Sequence, residues 1–273
     1  MSFIRSLDNR QIELLQSDEN CALFNLLKKD IVSGVVFPAV RKNQLYFYYE
    51  GGCLYKFSTG KFTRDKAFEK YGGETAGLSS YEIAKIQVEN KFTNKIGGDK
   101  ERRLLNALYR HTFCNERLYD TVVIDIEVNL NGNVACQKKC DLVLYNVLSG
   151  EIMFVEGKVF ADSRVNVKQG NTPEVIEQVN EYSLAIEEQA QTIVKQYANH
   201  IDIINCLFCM YYPTPKKLIQ PAKLLVYETP LKLTKNNLYS IDAINTALGA
   251  NNAVFVKQEE RPSTDEIWNS LCK

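Results

Sequence analysis

The chain has 273 residues, 45% of them hydrophobic and 24% charged, which is enough for one large domain or two small ones with a sizeable core. Its 33 acidic and 33 basic residues balance, which excludes a generally basic surface and restricts any nucleic-acid contact to a local patch. The first residues carry charges where a secretory signal needs an apolar core, and no apolar run approaches the length of a membrane span. We therefore expect a cytoplasmic protein with no membrane partner.

The first part of the chain predicts a small α+β region. A helix is expected over 9–30, because apolar residues recur there at helical spacing. Three strands follow over 34–40, 44–50 and 53–58, joined by short polar or glycine turns that are typical of a β-meander.

The predicted meander combines aromatic residues with cations, and this combination leaves two interpretations open. Aromatic rings with interleaved cations can bind single-stranded nucleic acid. The alternative, which we favour, is that the aromatic face packs on the neighbouring helix, because large apolar rings are usually buried. The residues concerned are Tyr46, Phe47, Tyr48, Tyr49, Tyr55, Phe57, Lys56, Lys61, Arg64 and Lys66.

Two local signals mark the end of this region. Ser79 and Glu82 have the spacing of a capping box and predict a helix over 80–92. The glycines of Lys95-Ile96-Gly97-Gly98 then interrupt the chain. We place the domain boundary there, which gives an N-terminal region of residues 1–95 and a larger domain of residues 96–273.

The larger domain alternates predicted helices and strands. Thr172-Pro173-Glu174 is a strong helix start, since it combines an N-cap residue, a proline in the first turn and an acidic residue. The predicted helices cover 99–113, 172–197, 201–212, 239–248 and the residues after Ser263, and the predicted strands cover 121–130, the hairpin 140–158, 223–228 and 253–257.

The hairpin carries the residues that indicate chemistry. Asp141 begins its first strand, and Glu156-Gly157-Lys158 ends its second. Side chains alternate along a strand, so Glu156 and Lys158 share one face, and antiparallel pairing can bring Asp141 beside them. Two carboxylates and an amine at one sheet edge suit a divalent cation and an activated water. The alternative is a solvated ion pair at the rim of the sheet.

The helix after the hairpin adds Gln178 and Tyr182, which lie four residues apart and therefore on one face. Asp141, then Glu156-x-Lys158, then Gln178-x-x-x-Tyr182 resembles the PD-(D/E)xK nuclease superfamily, and the Gln-x-x-x-Tyr element resembles that of the RecB-type branch. The resemblance implies an α/β protein with a restriction-endonuclease-like core, in which helices flank a mixed central sheet. The N-terminal region with its β-meander would be a smaller α+β addition. Cys140 stands where the proline of the family name would be.

The resemblance implies a metal site. Asp141 and Glu156 would bind Mg²⁺ or Mn²⁺, with the backbone carbonyl of Gly157 as a further ligand. Lys158 would orient or deprotonate the attacking water.

The resemblance also assigns supporting residues. Gln178 and Tyr182 would position Lys158 or a phosphate, and Arg164 and Lys168 would contact phosphates. For the first motif we favour Glu101, which would complete the set of metal ligands. His111 and Glu127 remain alternatives for that motif.

The expected function is a Mg²⁺-dependent phosphodiesterase that cleaves nucleic acid, with DNA favoured over RNA. Residues 1–95 would serve specificity or oligomerisation, and a homodimer is one option. The alternative is a catalytically silent protein of the same fold that binds nucleic acid or another protein. A glycosidase with two carboxylates would gain nothing from Lys158.

Overall fold

The structure, a computed structural model, describes residues 3–71, 77–93, 100–110, 112–113, 119–130, 139–249 and 251–272. The chain forms two compact units. The first, here called the meander unit, comprises Ile4–Leu118 and Asn199–Tyr212, and the second, here called the mixed-sheet unit, comprises Met1–Phe3, Tyr119–Ala198 and Pro213–Lys273. The predicted boundary at Gly97 and Gly98 lies outside the described residues.

The meander unit begins with two helices, α1 (Asn9–Leu15) and α2 (Asp18–Val32), so residues 9–30 are helical as predicted except for a break between residues 15 and 18. The chain breaks at Ser17, which has an extended backbone and donates its hydroxyl to the carbonyl of Leu14 at 2.8 Å. A serine that bonds to the preceding turn competes with helical hydrogen bonding, which explains the interruption.

The sheet of this unit has four antiparallel strands in the order β1 (Phe37–Arg41), β2 (Gln44–Tyr49), β3 (Gly52–Ser58) and β4 (Lys61–Thr63). One of its faces carries the fully buried residues Leu45, Phe47 and Phe57. Helix α3 (Ser80–Thr93) packs against β2 and β3. The short β4 was not predicted from the sequence, and a 3-10 helix over Lys66–Tyr71 follows it.

Two further helices belong to the meander unit, α3 (Ser80–Thr93) and α4 (Lys100–Tyr109). The predicted capping box at the start of α3 is confirmed, because the Glu82 carboxylate accepts from the backbone N–H of Ser79 at 2.8 Å. The Ser79 hydroxyl in turn accepts from the N–H of Glu82 at 3.3 Å.

The mixed-sheet unit is built on a six-stranded sheet. Five strands follow the order β10-β9-β7-β6-β5, and the two-residue β8 pairs with β7. The pairs β5/β6 and β6/β7 are antiparallel, whereas β7/β9 and β9/β10 are parallel. The coarse prediction of an α/β protein with a mixed sheet is therefore confirmed. The strands are β5 (Thr121–Asn129), β6 (Lys139–Asn146), β7 (Glu151–Val159), β8 (Lys217–Leu218), β9 (Lys223–Thr229) and β10 (Ala253–Lys257).

The helices beside this sheet are α5 (Glu174–Phe208), α6 (Lys235–Leu248) and α7 (Thr264–Leu271). The sequence predicted separate helices over 172–197 and 201–212, but α5 is continuous through this region. Its sequence between the two predicted helices, Ala198-Asn199-His200, contains neither glycine nor proline to end it. Within the described parts of the chain, no helix has the length and apolar character needed to cross a membrane.

Candidate active site

The β6–β7 hairpin places the predicted acidic residues side by side. Leu142 pairs with Val155 in this hairpin, so the next position along each strand sets Asp141 beside Glu156. Oδ2 of Asp141 accepts a hydrogen bond of 2.9 Å from the backbone N–H of Gly157. The local geometry therefore follows from two features of the sequence: alternation along β7 and the tight turn that fixes the register.

Lys158 holds the centre of this group. Its ammonium lies 2.5 Å from Oε1 of Glu156 and 3.6 Å from Oδ2 of Asp141, and it also donates to the carbonyl of Gly157 at 2.7 Å. Lys158 and Glu156 are 3% and 1% exposed at their side chains, whereas Asp141 is 23% exposed. The alternative of a solvated rim ion pair does not fit Glu156 and Lys158, since both charges are withdrawn from water.

Helix α5 supplies the other two predicted residues. Gln178 donates from Nε2 to Oε1 of Glu156 at 2.5 Å and to the hydroxyl of Tyr182 at 2.9 Å. Both side chains are buried, and their spacing of one helical turn lets them share the face that meets the sheet. The mixed-sheet unit thus brings together Asp141, Glu156, Lys158, Gln178 and Tyr182.

The second carboxylate oxygen of Glu156 is unlike the first. Oε2 is buried and has no hydrogen-bond partner among the described residues. A buried polar atom without a partner costs free energy, on the order of 1–3 kcal/mol. Such an atom is a place where a proton or a cation would be stabilising.

The raised pKa of Glu156 also indicates that this carboxylate favours the uptake of a proton or a cation. Burial raises the pKa of Glu156 to about 8, the negative charge of Asp141 adds to the rise, and Lys158 opposes it. Burial also raises the pKa of Cys140 and of Tyr182, and the charge of Glu156 contributes to both shifts. With both carboxylates ionised, two acids and one ammonium leave a net negative cluster, which favours the uptake of positive charge.

The predicted phosphate contacts lie in the loop that follows β7. The guanidinium of Arg164 binds both oxygens of Asp162, with Nε to Oδ1 at 3.0 Å and a terminal nitrogen to Oδ2 at 2.5 Å. Burial of Asp162 would raise its pKa, but the bonds from Arg164 outweigh burial and lower it, with Lys158 contributing in the same direction. Lys168 is exposed. Their role towards phosphate stays a prediction.

The three candidates for the first motif have different places. Glu101 lies in the first turn of α4, in the meander unit, and His111 lies outside the described residues. Glu127 lies on β5 between two residues paired with β6, opposite the position of Asp141. Its carboxylate is 3.4 Å from the ammonium of Lys139 and about a third exposed at 34%. The choice among the three stays a prediction.

Sequence reasoning missed one buried acid on this sheet. Asp125 on β5 is fully buried, and its carboxylate accepts from the hydroxyl of Tyr197 on α5 at 3.1 Å and from the N–H of Ile126 at 2.9 Å. It pairs across the strands with Val143, two residues from Asp141 on the same face. The available signal was an acidic residue inside an apolar strand, since a buried charge needs partners.

The donor set fits a hard cation in part. Asp141 and Glu156 offer carboxylate oxygens, and the carbonyl of Gly157 lies beside them, although it accepts from Lys158 here. Mg²⁺ often takes one or two protein carboxylates and keeps several waters, so two carboxylates side by side are compatible with a site of that kind. In the described parts of the chain, no cluster of three or more His, Cys, Asp or Glu side chains is placed to hold a metal ion.

Comparisons with known proteins give no relative from which a function could be transferred. The chain matches no protein-family model, and no curated protein or solved structure is significantly similar to it.

Proposed function

We propose that this chain is a metal-dependent nuclease of the PD-(D/E)xK type, with a restriction-endonuclease-like core, which hydrolyses phosphodiester bonds in DNA. One observation carries the proposal: the buried oxygen Oε2 of Glu156 has no partner among the described residues, while Asp141 and Lys158 stand beside the same carboxylate. A cation bound between the Asp141 and Glu156 carboxylates would give this oxygen a partner.

In this proposal Asp141 and Glu156 hold Mg²⁺ or Mn²⁺, with the carbonyl of Gly157 available as a further oxygen. A divalent cation bound there would lower the pKa of a coordinated water and neutralise charge on the phosphate. The cation would also take the place of a proton on Glu156, because either positive charge relieves the burial and the repulsion from Asp141 that raise the pKa of Glu156.

Lys158 would act on the reacting groups directly. Its ammonium is fixed by Glu156 and by the carbonyl of Gly157, so it has little rotamer freedom left to lose when substrate binds. It would orient the attacking water and stabilise the negative charge that develops on the phosphate. Gln178 and Tyr182 would keep the Glu156 carboxylate in place, since Gln178 bonds to both.

The nucleic acid would be held outside this cluster. Arg164 is oriented by Asp162, and exposed Lys168 follows in the same loop, so both would contact phosphates without reading sequence. DNA is proposed over RNA, and a homodimer and a cytoplasmic location remain part of the proposal.

A second candidate is a catalytically silent protein of the same fold that binds nucleic acid or a protein. The observation that favours it is the short bond between Lys158 and Glu156, 2.5 Å, which already neutralises one of the two carboxylates. One experiment distinguishes the two candidates, because only the nuclease cleaves DNA when a metal is present.

The test is digestion of supercoiled plasmid, linear duplex DNA and RNA in Mg²⁺, Mn²⁺ or EDTA. We expect the wild type to degrade DNA only with a metal, and Asp141→Ala and Lys158→Ala to be inactive. Asp242→Ala and Lys232→Ala are the matched controls, because both side chains are exposed elsewhere in the same unit. Absence of degradation by the wild type would leave the silent protein as the better assignment. Equal activity of all variants would show that the cleavage does not come from Asp141 and Lys158, and would contradict the proposed site.

A further inference from the structure

The face of the β1–β4 sheet opposite Leu45 and Phe57 carries a partly exposed cluster of an aromatic ring and cations. Tyr46 on β2 pairs with Lys56 on β3, and the Lys56 ammonium lies 5.3 Å from the centre of the Tyr46 ring. The guanidinium carbon of Arg41 on β1 lies 5.9 Å from the same centre. We call Arg41, Tyr46, Lys56 and Lys61 the cation–tyrosine face.

Strand alternation separates this face from the core. Leu45, Phe47 and Phe57 point to the opposite side of the sheet and are fully buried, which confirms the sequence interpretation that aromatic residues pack inward on that side. Tyr46 and Lys56 are partly exposed and Lys61 is exposed. Tyr48, two residues further along β2 on the same face, is buried, so Tyr46 lies at the end of this face that stays partly exposed.

The segment that forms this sheet carries an excess of positive charge, although the whole chain has a formal net charge of zero. Residues 37–63 contain four cations, Arg41, Lys42, Lys56 and Lys61, and a single acid, Glu50. Glu50 lies at the β2–β3 turn and is engaged with Asn106 at 3.1 Å and Arg110 at 3.6 Å. Because Glu50 contacts these two residues, residues 37–63 keep their excess of positive charge. This excess complements a polyanion.

Two contacts restrict the movement of the Tyr46 ring. Tyr48 stacks on it with ring centres 6.3 Å apart and an interplanar angle of 18°. The Tyr46 hydroxyl donates to Oε1 of Gln44 at 3.1 Å. A fixed ring loses little entropy on binding. A base gains more from stacking on an aromatic ring than an exposed ammonium gains from its contact with the ring, so a base can displace the Lys56 ammonium. The displaced ammonium then meets the phosphate next to that base.

We propose that the cation–tyrosine face binds single-stranded nucleic acid, with a base against Tyr46 and phosphates against Arg41, Lys56 and Lys61. A duplex fits less well, because its bases are stacked on one another and offer no free ring face. The proposal does not depend on the hydrolysis assigned to Glu156 and Lys158, since those residues belong to the other unit and binding needs no metal.

The test is fluorescence anisotropy of the full chain with labelled oligothymidylate, oligouridylate and a DNA duplex, all in EDTA so that no cleavage occurs. We expect both single strands to bind more tightly than the duplex, and the ratio of the two affinities identifies DNA or RNA as the preferred strand. Tyr46→Leu keeps an apolar side chain but lacks the ring, and should weaken single-strand binding about 5-fold or more. Tyr46→Phe should bind as the wild type does.

Lys56→Gln tests the electrostatic part independently of the ring. It should reduce the slope of log K against log salt by about 0.7, the value for one phosphate contact on a single strand. Tyr211→Ala and Lys232→Ala serve as controls, since Tyr211 is 94% exposed and Lys232 is exposed, and neither belongs to this face. Circular dichroism checks that each variant is folded.

Two outcomes overturn the proposal. One is a wild type that fails to bind either single strand, or binds the duplex as tightly. The other is a folded Lys56→Gln with an unchanged salt slope together with Tyr46→Leu of unchanged affinity. Loss of DNA cleavage by Glu156→Gln would bear on the proposed hydrolysis and leave this binding result unaffected.

Discussion

The ammonium of Lys158 lies 2.5 Å from Oε1 of Glu156, and both side chains are almost completely buried. Removing one partner of such a pair leaves an uncompensated charge away from water. Above the pKa of Glu156, about 8, we expect Lys158→Met to lower the free energy of unfolding by about 3 kcal/mol. The double variant Glu156→Gln/Lys158→Met should recover most of that loss, as chemical denaturation would show.

The same β7 strand offers a matched control for this pair. Lys217 lies 2.9 Å from Glu151, but its side chain is 70% exposed. An exposed pair contributes about 0–1 kcal/mol, so Lys217→Met should have little effect. Equal losses for Lys158→Met and Lys217→Met would contradict the assignment of a buried pair.

The stability of the metal-free protein should depend on the protonation of Glu156. Its pKa is raised by burial from 4.5 to about 8, so between these values the folded protein keeps a proton that the unfolded chain releases. Folding then binds a proton, and stability is fully present below 4.5 and falls as the pH rises to about 8. Relative to Glu156→Gln, which has no such proton, the wild type should lose up to about 1.4 kcal/mol per pH unit. Denaturation in EDTA across this range measures the difference, and parallel curves for the two proteins would refute it.

Gln178 is expected to act through Glu156 rather than on the substrate. Gln178→Ala removes the donor to Oε1 of Glu156, and loss of such a supporting bond typically lowers activity about 10–100-fold. Gln189→Ala is the control, because Gln189 lies on the same helix and bonds only to its own turn, at Ala185, in the contacts seen here. Initial rates of DNA cleavage compare the two, and a Gln189→Ala effect as large as that of Gln178→Ala would argue against a specific role.

Glu127 is expected to be dispensable for cleavage. Its carboxylate pairs with Lys139 at 3.4 Å in a partly exposed position, and such pairs contribute little, about 0–1 kcal/mol. Glu127→Gln should therefore change the cleavage rate less than about 5-fold. A loss of activity comparable to that of Asp141→Ala would move the first-motif role from Glu101 to Glu127.

The Tyr197 hydroxyl is expected to stabilise the fold through Asp125. Its bond to the buried carboxylate is 3.1 Å, and bonds to charged groups contribute about 1.5–3 kcal/mol. Tyr197→Phe should lower the free energy of unfolding by that amount, while Tyr119→Phe, at a residue 41% exposed, should not. Thermal or urea unfolding measures both, and a neutral Tyr197→Phe would show that the bond is replaceable.

The features that depend on neighbouring residues could be predicted from the sequence. The capping residues Ser79 and Ser263 start helices where the sequence predicts them, and the strand over 253–257 has the predicted bounds. The hairpin that carries Asp141 and Lys158 was also predictable. Hydrophobic alternation, capping and turn signals act over a few residues, so they can be read without the fold.

The features that depend on residues far apart in the chain follow from the packing of the fold and could not be predicted. β9 lies between β7 and β10, although more than sixty residues separate β7 from β9. That packing, together with α5, withdraws Glu156 and Lys158 from water. It also leaves Oε2 of Glu156 buried without a hydrogen-bond partner among the described residues. Whether the Glu156–Lys158 pair was a solvated rim contact or a buried cluster could not be read from its spacing. Burial is set by which strands and helices cover a side chain, and burial is what raises the pKa of Glu156.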